Sequence, residues 1–380
     1  MEEADSKLKT ADHQLWLKRL DIEKDNLRTA LARGQSAGRY EDILRFAGTL
    51  FWFWQTIGYI REGRSVLSNI LSITSEAFPL DGPRAIGARA KALWAAGVLA
   101  WIQSDYAAGR SQLEESVQLW RQLGGANKTG LAVALRDLGI VSTYQGELDH
   151  ALSTLEESIR LMQEAGETWN LALAFHNLGL VFESMNDVRT ARENFEKSQS
   201  LFRGLNEPWG LAVALNGLGR IAGRQSDYST ARLHLEGSLE LSQKLYDPWS
   251  VASTLYLLGE VARLQGDYEQ AIKFYFQSLT LNQRVGDKAM ISFALHNLGN
   301  IAHIQGQLTQ AACFFGAAKA LREDSTNTTS WSLTDHAQCE QDVAALRVIL
   351  ANDDFDSAWV KGYAMNSDQA IEYALALFSR

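Results

Sequence analysis

The chain has 380 residues, 46% of them hydrophobic and 21% charged, with a formal net charge of −9. That apolar content suffices for a packed core and excludes wholesale disorder, while the acidic balance argues against direct nucleic-acid binding, which needs clustered Lys and Arg. Only Pro79, Pro83, Pro208 and Pro248 interrupt the chain, and Leu and Ala between them follow a helical period, so an all-α fold is expected.

No basic start followed by an apolar run opens the sequence, so no secretory signal is expected. A cytoplasmic setting with Cys313 and Cys339 reduced fits this reading. Residues 12 to 33, with Leu15, Trp16, Leu20, Ile22, Leu27 and Leu31, predict a capping helix within an N-terminal cap and linker spanning 1–39. A first, weak helix pair begins near Tyr40, with Ala47-Gly48 and Gly63. Inside it, Leu50 to Ile60 carries Phe51, Trp52, Phe53 and Trp54 but also Gln55 and Thr56. A membrane span needs roughly 20 apolar residues, so this run predicts a buried helix and no membrane partner. A second pair runs from Ala96-Gly97 through Asp105, Tyr106, Gly109 and Ser116.

From there the chain repeats with a period of 40: Leu138-Gly139, Leu178-Gly179, Leu218-Gly219, Leu258-Gly259 and Leu298-Gly299. Ala151, Ala191, Ala231, Ala271 and Ala311 keep the same spacing, as do Ser158, Ser198, Ser238 and Ser278. Around each glycine the apolar positions cover most of a helix, as in Leu171, Ala172, Ala174, Phe175, Leu178, Gly179, Val181 and Phe182. Seven residues on stand Gly146, Asn186, Ser226, Gly266 and Gly306, suited to the left-handed turn that ends a helix. Asp267 with Gln270 then fits a capping box for a second helix, whose stripe is Tyr268, Ala271, Ile272, Tyr275, Ser278, Leu279 and Leu281. Glycine in the first helix facing alanine in the second is predicted to let the two backbones approach. Trp169, Trp209 and Trp249 recur at the start of the first helices, where Pro208 and Pro248 suit the first turn. Their rings are expected to pack over the preceding unit, with a ligand contact as the alternative. Beyond a polar linker, Asp324 to Ser330, helices near 334–350, 354–363 and 367–378 are expected to close the array as a C-terminal cap (324–380), with Trp359 and Tyr363 packed inward. The prediction is a right-handed α-solenoid of about seven helix pairs across 40–323.

The Leu-Gly, Gly-Asp-Tyr, Ala and Ser pattern resembles the tetratricopeptide repeat in its long, 40-residue form. Three further stretches add to it: Glu23 to Gln35, the Phe51 to Trp54 helix followed by Gly58-Tyr59-Ile60-Arg61-Glu62-Gly63-Arg64, and the tail from Phe315 to Arg322 and from Trp359 to Leu375. Together they are similar to the C-terminal repeat half of bacterial signal-transduction NTPases and LuxR-type transcriptional regulators. That resemblance implies a sensor or docking arm whose NTPase and DNA-binding modules lie outside the repeats. No G-x-x-x-x-G-K-[ST] loop occurs in this chain, so nucleotide hydrolysis does not carry over.

Stacked pairs leave a concave face lined by the first helices. Helical geometry assigns to it Trp94, Val98 and Trp101; Arg136, Ile140 and Tyr144; His176, Asn177 and Glu183; Asn216, Arg220 and Arg224; Tyr256, Glu260 and Arg263; and His296, Asn300 and His303. Arg forks and Asn amides there suit a peptide, a protein segment or a small effector. His296, His303 and His176 are too scattered to predict a metal site, and Glu114-Glu115 and Glu156-Glu157 fit a solvated helix face. No nucleophile with a nearby base is found, so neither catalysis nor a cofactor is expected. The alternative reading is a structural arm for self-association or autoinhibition.

Overall fold

A computed structural model describes residues 13–77, 82–324 and 333–378. Helices α1 (His13–Ile22) and α2 (Lys24–Ser36) precede the first pair, α3 (Tyr40–Thr49) and α5 (Ile60–Ala77), which is split by the short α4 (Phe51–Ile57). Six pairs follow: α6 (Pro83–Ile102) with α7 (Tyr106–Gln122), α8 (Lys128–Tyr144) with α9 (Leu148–Ala165), α10 (Thr168–Ser184) with α11 (Val188–Gly204), α12 (Pro208–Arg224) with α13 (Tyr228–Lys244), α14 (Pro248–Leu264) with α15 (Tyr268–Val285), and α16 (Lys288–Ile304) with α17 (Leu308–Asp324). Helices α18 (Leu333–Ile349), α19 (Asn352–Tyr363) and α20 (Ser367–Phe378) complete the chain. The all-α solenoid read from the repeat is the observed fold, and no strand occurs among the described residues.

Local chemistry explains each unit. The turns within the pairs take left-handed conformations at Gly146, Asn186, Ser226, Gly266 and Gly306. Four of the second helices start on aspartates whose carboxylates accept from backbone amides: Asp105 from Ala108, Asp187 from Thr190, Asp227 from Thr230 and Asp267 from Gln270. Pro208 and Pro248 occupy the first helical turn behind the caps Glu207 and Asp247. Serines of the second helices donate to alanine carbonyls of the first: Ser116 to Ala90, Ser158 to Ala132, Ser238 to Ala212 and Ser278 to Ala252, at 2.6–2.9 Å.

The repeated glycine comes close to the backbone at the alanine, as expected, but the side chain it meets is a larger one. A Cβ built on Gly219 would fall 2.6 Å from Leu235 Cγ, with the Ala231 carbonyl at 3.2 Å. The same crowding sets Gly97 against Leu113, Gly139 against Leu155, Gly179 against Phe195, Gly259 against Tyr275 and Gly299 against Phe315. The glycine therefore makes room for a large side chain one turn beyond the alanine.

At the ends, Leu20 and Leu31 are buried but Leu15 and Ile22 are exposed, because α1 covers the array with only part of its surface. Trp359 stacks on Phe355 at 5.5 Å. Tyr363, expected inside, is 44% exposed and donates to Glu323. Residue 12 and linker residues 325–330 lie outside the described residues. Helix α6 is long and apolar enough to cross a membrane, but 78% of that window is buried among its neighbours.

The largest departure concerns the concave face, which was expected to stay open. Residues 51–56 are buried on every side of α4, as a helix apolar all round must be, and α4 lies inside the superhelix against α14. Gly58, with φ 84°, ends α4 where a Cβ would touch Pro248 at 3.5 Å. The superhelix also closes on itself. Ser104 Oγ donates to Asp287 Oδ1 at 3.0 Å and accepts from the Ala289 amide at 3.3 Å, while Gln103 Nε2 reaches the Val285 carbonyl at 3.4 Å. These bonds join the α6–α7 turn to the α15–α16 turn, more than 180 residues apart.

Candidate ligand cavity

Where the first helices converge on α4, a partly enclosed cavity of about 110 Å³ remains. Its lining brings together Trp94, Trp101, Arg136, Tyr144, His176, Asn177, Asn216 and Arg220 from the predicted face, with Val98 and Ile140 between them. The remaining predicted residues are placed elsewhere. Glu183 is buried beneath the wall, ion-paired with Arg220 at 2.5 Å and with Arg224 at 3.5 Å. Glu260 pairs with Arg263 and accepts from the Tyr275 hydroxyl at 2.7 Å, and the Tyr256 hydroxyl accepts from Asn297. His296 and Asn300 are covered by α18, whose Asp342 carboxylate lies 3.0 Å from both. His303 is half-buried near the end of α16. The C-terminal part of the face is thus occupied by the chain's own cap, which helical spacing alone does not reveal.

Sequence reasoning missed Phe51, Trp52 and Gln55 of α4, and it held Trp209 and Trp249 as ligand contacts only in the alternative reading. The periodic tryptophans turn inward: Trp209 lies over Trp169 of the preceding unit as expected, while Trp249 reaches Trp101 across the superhelix. Trp169 and Trp209 stack at 5.6 Å, and both meet Trp52 edge to face at 5.8 and 5.5 Å. Trp249 meets Trp101 edge to face at 5.8 Å, and Trp101 stacks on Tyr144 at 5.7 Å. The missed signal was present: tryptophans at one period on first helices, and one helix apolar all round to receive them.

The charges in this wall are largely matched. Arg136 forks onto Asp137 at 2.8 and 2.9 Å and also donates to Asn170, while Trp94 donates to Asp137 at 2.6 Å. Burial, reinforced by the Arg220 charge, pulls His176 down to about 3, so its imidazole is neutral near pH 7. Burial pushes the Tyr144 hydroxyl up to about 12. Gln55 Oε1, Trp101 Nε1 and His176 Nδ1 are buried without a hydrogen-bond partner in the protein. Leaving one such atom unsatisfied costs about 1–3 kcal/mol. All three residues line the one cavity. Among the described residues no cluster of His, Cys, Asp and Glu suited to a metal ion occurs.

The fold is shared with several solved structures. A Rap protein complexed with the Competence and Sporulation Factor superposes with a TM-score of 0.62 at 12% identity, over 94% of this chain and 99% of that one. The Rap conjugation gene regulator of plasmid pLS20, in complex with the Phr* peptide, gives 0.58 at 17% identity, over 75% and 74%. The apo form of RapI gives 0.52 at 14% identity, over 72% and 97%. At these identities the likeness is one of fold. No curated protein matches the sequence. The family model for the tetratricopeptide repeat matches residues 88–164, 170–244 and 250–324, more than half of the chain. With the helix pairs, the 40-residue register and the glycine-centred packing in place, the chain belongs to the tetratricopeptide repeat family.

Proposed function

We propose that this protein is a non-catalytic sensor or interaction module that captures a short peptide, a protein segment or a small effector inside its superhelix. The observation that carries this reading is the aromatic cavity around α4 with its three buried, unpartnered polar atoms. Related folds whose structures hold the Phr* peptide or the Competence and Sporulation Factor lend it support. The resemblance to NTPase and LuxR-type regulators extends it to a cytoplasmic bacterial signalling or transcription regulator. In that setting residues 40–323 form the binding array between caps 1–39 and 324–380, and the occupied state is passed to an NTPase or DNA-binding domain outside this chain.

Native mass spectrometry of the gently purified chain tests the reading. The expected result is a mass excess that disappears on denaturation. A mass equal to the bare chain, with no fluorescence change of the cavity tryptophans on adding cell extract, would refute it. Arg220 is a poor residue for charge reversal, because a carboxylate in its place would face the buried carboxylate of Glu183. Asn216→Leu is the milder probe.

A second reading, a structural arm for self-association, draws on Val348, Ile349 and Val360, which are exposed on the C-terminal cap. A sedimentation coefficient equal to the monomer's at every concentration would dispose of it.

A further inference from the structure

We propose that the central cavity selects a neutral, planar aromatic ligand bearing one hydrogen-bond donor and one acceptor. This narrows the capture reading above and rests on it. Two ring groups line the space: Trp52 with Trp209, and Trp101 with Trp249 and Tyr144. Edge-to-face pairs at 87–88° form a herringbone that a further flat ring extends at the same spacing. A saturated guest of equal volume gains none of that geometry.

Charge restricts the choice further. A cation would stack well on tryptophan, but the carboxylates that could receive it, Asp137 and Glu183, are already paired with Arg136 and Arg220. An anion would have to draw these guanidinium groups from Asp137 and Glu183, with which they are already paired in a dry interior. His176 adds no charge, being held neutral by burial. A neutral guest disturbs neither pair.

The unpartnered atoms set the polar pattern. Gln55 Oε1 accepts only, Trp101 Nε1 donates only, and His176 Nδ1 takes either role by tautomer. A ring carrying a primary carboxamide offers an N–H to the first and a carbonyl to the second.

Isothermal titration of the full chain with benzamide, benzoate, benzamidinium and cyclohexanecarboxamide tests the proposal, since the first three are near isosteres differing in charge and the fourth is not flat. Benzamide is expected to bind at least tenfold more tightly than each of the others. Trp101→Phe, which keeps a ring but loses the donor, is expected to weaken benzamide about tenfold, as is Gln55→Leu; near-UV circular dichroism verifies that each variant is folded. Benzoate or benzamidinium binding as well as benzamide would overturn the proposal, as would equal binding of the saturated amide. Failure of all four probes alongside a co-purified occupant in native mass spectrometry would overturn it while leaving the capture reading in place. A chain empty in that spectrum, blind to all four and unchanged in tryptophan fluorescence on adding cell extract would remove both.

Discussion

At Gly219 one missing methyl group decides whether α12 and α13 lie together. The Leu235 Cγ that a Cβ would meet at 2.6 Å is branched and buried, so it has nowhere to retreat. Gly219→Ala is therefore expected to destabilise the chain by about 1–3 kcal/mol in urea denaturation. Gly223, on the same helix, has its nearest neighbour 3.8 Å from a built Cβ. There the same substitution is expected to stabilise by about 0.5–1 kcal/mol, because alanine restricts the unfolded chain and favours helix. Asp287 tests a different residue-scale effect. Burial pushes its carboxyl up to about 6 from an ordinary 3.8. Folding thus favours the protonated form, so its contribution to stability is full below pH 3.8 and is lost as pH rises through about 6. Asp287→Asn is expected to gain up to about 2–3 kcal/mol over the parent at pH 7 and almost nothing at about pH 3.5. Paired denaturant midpoints at the two pH values check this. The glycine's importance was legible from its period, whereas its true partner was not, because a period tells which positions recur without telling which side chains touch.

Among the elements, α4 departs most from the repeat. Its seven residues supply Trp52, which touches Trp169 and Trp209 and so ties the first pair to the fourth and fifth. Trp52→Ala should cost about 3–5 kcal/mol, the range for deleting a buried aromatic ring. Loss of near-UV ellipticity before loss of helix signal would mark the tryptophan cluster as the first casualty. A thermal midpoint equal to the parent's would place the ring outside the core. That this run is a buried helix was evident from its length and its two polar residues. What buries it was not, since the shared period of Trp169, Trp209 and Trp249 shows that they recur without showing which helix they face. The helix over 334–350 was likewise legible, but its Asp342 covering His296 was not, because that contact spans 46 positions and follows no repeat.

For the whole molecule, the closure between Ser104 and Asp287 separates this array from an open solenoid, in which each unit answers only to its neighbours. Ser104→Gly keeps the left-handed backbone, φ 63°, and deletes the bridging hydroxyl. Hydrogen exchange is expected to quicken together at residues 102–106 and 285–290 while the turn at 206–208 is unaffected. A change confined to 102–106 would show that the two turns are not energetically coupled. Closure of this kind accumulates from a small rotation at every unit, so no single repeat spells it out. This is why the helix pairs could be read from one chain while the shut interior could not. Trp249 links the two features, lining the cavity and hydrogen-bonding Asp287.

That bridge also imposes an order on biosynthesis. Residue 104 leaves the ribosome long before residue 287, and at about 5–20 residues per second the interval is roughly 10–40 s. During it, Trp52, Trp94 and Trp101 have been made while their later partners have not, leaving a nascent chain with uncovered indoles. Slow codons or a chaperone would act most strongly in that window.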